Sequence, residues 1–192
     1  MNILNQIHQF TLVLKNVNES TPMLEDSLFE AGCDDVLINF RNNTVFLDFE
    51  REGKSFEETI IEAIKQVESA SVKPVVVSVA PEDLVTMSEA AKRLDKTRQA
   101  LHNWINEARR KTESEKMQFP QPFMKLADKS PLWKWKEIVE WLYLHNLIRE
   151  KQIVESAIFI ENINAVLEER NETIRETREA LIEKLESKMP SV

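Results

Sequence analysis

Through the first 81 residues, apolar runs of period two and of period 3.6 follow one another in a single order, and that order restricts the fold more than any other feature of the chain. Gln9–Leu14 reads as a strand, and Thr21–Gly32 as a helix with Pro22 at its first position and a glycine stop. Val36–Phe40 and Thr44–Phe49 flank Arg41-Asn42-Asn43, whose asparagines tolerate positive φ, so a hairpin is expected. Ser55 opens a second helix with Glu58 at capping-box spacing, and Ile60, Ile61, Ile64 and Val67 form its apolar stripe. Pro74–Val79 supplies a last strand.

The order βαββαβ predicts a ferredoxin-like domain over residues 1–81, a small sheet with both helices on one face, and places the chain in the α+β class. That fold hosts many unrelated activities. The segment contains no phosphate-cradling glycine loop, no nucleophile with a base at motif spacing and no metal-ligand cluster. Its acidic residues Glu25, Asp26, Glu30, Asp34 and Asp35 read as a solvated face, with a cation or ligand site as the alternative. A protein–protein or dimerisation role is expected for this domain.

Composition narrows the remaining classes. No stretch approaches the roughly 20 apolar residues of a membrane span, and the start of the chain has no secretory pattern, so a cytoplasmic address is expected. The 2 glycines leave no room for long flexible linkers. Cys33 is the single cysteine and reads as a small buried hydrophobe, while His8, His102 and His145 lie far apart without ligand spacing. Neither a metal nor another cofactor is implied, and no catalytic constellation suggests an enzyme. The net charge of −8 is unevenly spread. Residues 1–81 hold 6 basic against 13 acidic side chains, and 147–192 hold 7 against 10. Met87–Lys136 holds 12 against 6, so positive charge is concentrated in the middle of the chain.

That middle carries the specific signal. Thr86 and Glu89 have capping-box spacing, so a helix begins at Met87 with Ala90, Ala91 and Leu94 on its inner edge. Asp95-Lys96-Thr97 interrupts the period, which Arg98 to about Lys111 resumes with Ala100, Leu101, Trp104 and Ile105 inside. Two short helices joined by about three residues predict a helix-turn-helix, with small Ala91 where the helices cross. Arg98, Gln99, His102, Asn103 and Asn106 are then left on the outer face, without a carboxylate among them. Arg can grip guanine and Asn or Gln adenine through two hydrogen bonds each, so these are candidate base-reading residues, against the plainer reading of a polar surface helix. Phe123–Leu126 and Leu132–Trp135 are strand-like around the turn Ala127–Pro131, which predicts a wing. Lys96, Arg109, Arg110, Lys125, Lys129 and Lys134 are candidate phosphate contacts. Trp135 and Trp141 read as core residues closing the wing against the helices.

Ser88–Leu94, Thr97–Ile105, Phe119–Pro122, Trp133–Trp135 and Ile138–Leu142, in this order and spacing, resemble the winged helix-turn-helix of MerR-like and phage-excisionase-like DNA-binding proteins. The resemblance covers about a third of the chain. It implies a prokaryotic or phage transcriptional regulator whose partner is double-stranded DNA. Asp95 stands where the family often has Gly in the turn, and the cysteines of metal-sensing members are missing.

Residues 82–147 are thus the expected DNA-binding domain, and 148–192 a C-terminal helix. From about Glu150 to Met189 no Gly or Pro occurs, which predicts one long helix. Ile153, Ile160, Leu167, Ile174 and Leu181 recur every seven residues, but Ser156, Ile163, Arg170, Thr177 and Lys184 make a poor companion row. Packing on its own domains through Ile158, Phe159, Ile160 and Ile163 and homodimerisation are both compatible with that pattern. The competing function is a protein-interaction adaptor or antitoxin-like module, in which the αβ domain or the C-terminal helix sequesters a partner protein.

Overall fold

The computed structural model describes residues 6–81, 83–111, 118–124 and 131–186, without the side chains of 109–111. The chain divides into two units, Met1–Ala80 with Asn162–Val192, and Pro81–Glu161.

In the first unit, β1 (Gln6–Lys15), α1 (Leu24–Glu30), β2 (Val36–Arg41), β3 (Thr44–Gly53), α2 (Phe56–Ser69) and β4 (Val75–Ala80) follow in the expected order. The strands form one antiparallel sheet, ordered β2-β3-β1-β4. Phe10, Leu12 and Leu14 face Phe49, Leu47 and Val45 across the central pair, all buried, and the rings of Phe10 and Phe49 stack at 5.0 Å. At about 1.5–3 kcal/mol for each large apolar side chain taken from water, this face is the main source of the unit's stability. Ile60, Ala63, Ile64 and Val67 of α2 are buried, whereas Ile61 is half-buried, so Ala63 completes the stripe that Ile61 was expected to share. On β4 the buried residues Val76 and Val79 are three apart because the pairing slips between Val13 and Leu14, where a bulge absorbs Val77.

Local chemistry sets the joints. Asn42 and Asn43 take φ of 51° and 62°, the two-residue turn whose twist matches the strands it joins. The Ser55 hydroxyl accepts the Glu58 amide proton at 3.2 Å and starts α2. A Cβ at Gly53 would fall 1.8 Å from the Thr59 hydroxyl oxygen, so the end of β3 needs glycine to approach α2. The first helix is shorter than expected. Thr21 belongs to a turn, accepting the Asn18 amide proton through its hydroxyl at 2.8 Å, and Met23 takes φ 55°, so α1 starts only at Leu24. It ends at Glu30, and Gly32 two residues on, φ 88°, supplies the expected glycine stop.

α6 (Lys151–Glu169) and α7 (Glu172–Glu186) replace the single long helix expected. The break is at Arg170-Asn171. Asn171 starts the new helix, its carbonyl accepting from Arg175 at 3.0 Å and its side chain from Ile174 at 3.4 Å. The heptad row divides accordingly: Ile160 and Leu167 on α6 are buried, whereas α7 has no buried residue and exposes Leu181, Ile182 and Leu185. Within the first unit, Asn164 seals the edge of the sheet. Its amide donates to the Val79 carbonyl at 2.9 Å and accepts the Val79 amide proton at 2.7 Å. Glu68 accepts the Val76 amide proton at 3.1 Å and pairs with Arg170 at 2.7 Å. No helix among the described residues is long and apolar enough to cross a membrane.

The second unit comprises β5 (Leu84–Val85), α3 (Met87–Arg93), α4 (Arg98–Lys111), β6 (Trp133–Lys134), α5 (Trp135–Leu144) and the start of α6. Its core gathers Ala90, Ala91, Leu101, Ile105, Phe119, Ile138, Val139 and Leu142 with Trp135 and Trp141; Phe119 meets Trp141 edge to face at 5.1 Å. Ile148 and Ala157 belong to the same core, so it continues past residue 147. The strand pairing departs from expectation. Met124 and Leu132 form a bridge, but Trp133-Lys134 pairs with Leu84-Val85, a strand the sequence did not suggest. Trp135 opens α5 instead of extending the strand, its amide donating to the Asp83 carbonyl at 2.7 Å. The expected turn from Ala127 lies, up to Ser130, outside the described residues.

Candidate nucleic-acid interface

The joint between α3 and α4 is built from residues 94–97. The Thr86 hydroxyl accepts the Glu89 amide proton at 3.1 Å and starts α3; the Thr97 hydroxyl accepts from Ala100 at 3.1 Å and starts α4. Between them Asp95 takes φ 51°, the left-handed conformation that glycine adopts most easily and Asp and Asn tolerate. The Lys96 amide then donates to the Ala91 carbonyl at 2.8 Å, closing the turn over buried Ala91. An aspartate therefore meets the geometric demand that glycine usually serves.

Leu101, Ile105 and Ala108 turn α4 into the core and leave Arg98, Gln99, His102 and Asn103 exposed on the opposite arc. Asn106 is half-buried at its edge. Trp104, expected inside, is also half-buried, with the Lys96 ammonium 5.8 Å from its ring centre. Two pairs one turn apart fix the amides. Gln99 Nε2 donates to Asn103 Oδ1 at 3.0 Å, and Asn106 Nδ2 lies 2.9 Å from His102 Nε2. Each pair holds its two side chains together across one turn of the helix. A 100° step per residue returns positions 109 and 110 to the same arc. The side chains of Arg109 and Arg110 lie outside the described set, as do Lys125 and Lys129 entirely.

Lys134 is elsewhere. Its ammonium is 2.9 Å from one oxygen of Glu161 and 5.3 Å from the ring centre of Phe123, and Lys136 holds the other Glu161 oxygen at 2.9 Å. These hydrogen bonds raise both lysine pKa values and hold the Glu161 carboxyl below its ordinary value. One carboxylate thus partly offsets two of the cations beside β6. Glu161 lies 25 and 27 residues away in sequence, and no local pattern announced it.

Among the described residues no group of three or more His, Cys, Asp or Glu is placed to hold a metal ion. Cys33 is buried, and burial raises its thiol pKa. No known family model matches the chain, and no curated protein or solved structure matches it.

Proposed function

We propose that the second unit is a winged helix-turn-helix that binds double-stranded DNA sequence-specifically, with α4 as its recognition helix, and that the protein is a prokaryotic or phage transcriptional regulator. The observation that carries this reading is the exposed arc of α4, where Arg98, Gln99, His102 and Asn103 stand together without a carboxylate, backed by a helix whose other side is anchored in the core. Arg, Gln and Asn on a rigid helix can each make paired hydrogen bonds to purine edges in the major groove, while neighbouring cations neutralise phosphates and release counterions. Binding alone performs this role, so no catalytic group is required. The β-α-β-β-α-β unit is read as a ferredoxin-like domain on the strength of its strand order β2-β3-β1-β4. α7, with Leu181, Ile182 and Leu185 exposed, is the proposed contact between two copies.

The test is selection of bound duplexes from a random pool, followed by titration of wild type and Asn103→Ala on the selected site and on a scrambled one. Asn103→Ala is expected to cost about 1–3 kcal/mol on the selected site and little on the scrambled one. Equal losses on both would leave α4 without a reading role, and no duplex binding at low ionic strength would end the DNA reading. A second reading, capture of a partner protein, is favoured by Met23, Phe29 and Leu37, which expose 68%, 66% and 64% of their surface on the first unit. A stoichiometric protein complex formed by a chain that binds no DNA would select it.

A further inference from the structure

Beside the outer arc of α4, within the second unit, lies a groove of about 810 Å³. Arg98, Gln99 and His102 border it from the helix, and the Phe119–Pro122 segment and Trp133 border it from the other side. We propose that this groove is a binding site for a small planar organic anion, an aromatic carboxylate being the simplest example, and that such a ligand competes with DNA. The competition rests on the DNA reading above; the site itself does not.

The volume falls within the roughly 300–1,000 Å³ of small-molecule sites, and the lining has their character, apolar surface with a few polar groups. Buried Ile105 and Phe119 contribute apolar surface. Trp133 is held in place because its indole N–H donates to the Pro120 carbonyl at 3.2 Å. That bond uses the ring's only polar group, so what Trp133 presents to the groove is apolar. The proline rings of the same lining add to that apolar surface. Charge decides the sign of the ligand. Among the described residues of the lining Arg98 is the one cation, and none is a carboxylate. An anionic ligand meets a guanidinium able to donate two parallel hydrogen bonds to a carboxylate, whereas a cation would meet no opposite charge among these described residues. Because Arg98, Gln99 and His102 serve both surfaces, a molecule in the groove withdraws the side chains that DNA would need.

The probe is 2-naphthoate, added to the ¹⁵N-labelled full-length chain and followed by NMR. Saturable shift changes are expected at the amides of Arg98, Gln99 and His102 and at the indole N–H of Trp133. Arg98→Ala should weaken the probe about fivefold or more, and Arg98→Lys should restore part of the loss. Neutral 2-naphthamide should bind wild type and Arg98→Ala alike. Shifts scattered over the surface, or equal affinity of naphthoate for wild type and Arg98→Ala, would overturn the site. With the site established, saturating naphthoate should raise the apparent Kd for DNA at least several-fold. An unchanged Kd would overturn the competition, and absence of any DNA binding would remove the function proposed above while leaving the titration result intact.

Discussion

Asn164→Ala isolates a contact that joins distant parts of the sequence. The Asn164 amide makes two hydrogen bonds to the backbone of Val79, on the outer edge of β4, at 2.7 and 2.9 Å. Val79 is 1% exposed, so the truncation strands an amide proton and a carbonyl where water reaches them poorly. Each hydrogen bond contributes about 1 kcal/mol net, and a stranded buried group costs about 1–3 kcal/mol. Allowing for water entering the space vacated by the amide, the expected loss is about 2–4 kcal/mol, a large share of the roughly 5–15 kcal/mol that holds a domain folded. Urea unfolding of both proteins measures the loss as a shift of midpoint at unchanged slope. Hydrogen exchange at the Val79 amide should quicken more than at Leu12, on the adjacent strand of the sheet. A loss under about 0.5 kcal/mol with Val79 still protected would refute the argument, since the edge would then be held by something other than this amide.

Two further outcomes follow from charge. Arg51 donates to both oxygens of Asp35, at 2.6 and 2.7 Å, and this holds the Asp35 carboxyl below its ordinary value despite partial burial. A depressed folded-state pKa adds stability above the ordinary carboxylate range, and that increment disappears as pH falls through the lowered value. Asp35→Asn should therefore be less stable than wild type near neutrality and approach it below about pH 4; a gap that stays constant in urea melts at both pH values contradicts this. Glu161→Gln removes the carboxylate shared by Lys134 and Lys136, so affinity for random duplex DNA should rise and its salt dependence steepen by up to about one unit. An unchanged salt slope would exclude these lysines from the DNA interface.

What the sequence determined by itself is what neighbouring residues decide. Asn42-Asn43 specified a turn, Ser55 with Glu58 and Thr86 with Glu89 specified helix starts, and the apolar periods named most of the buried faces of α2 and α4. These depend on contacts within about four residues, which order in the chain already places together. The same locality made the exposed arc of α4 legible, because a helix that buries Leu101 and Ile105 must show Arg98, Gln99, His102 and Asn103 on its other side. The division of the last helix was harder to see, since Asn171 competes for the chain only through its own side chain and interrupts no apolar period.

Only the tertiary structure decided which distant groups meet. Leu84-Val85 became the partner of Trp133-Lys134, Trp135 became the first residue of a helix, Glu161 engaged two lysines, Asn164 closed the sheet edge, and the Phe119–Pro122 segment and Trp133 made a groove against α4. None of these pairs has a characteristic spacing in the sequence. A backbone amide or an ammonium accepts any suitable oxygen within reach, and reach is set by how the cores pack.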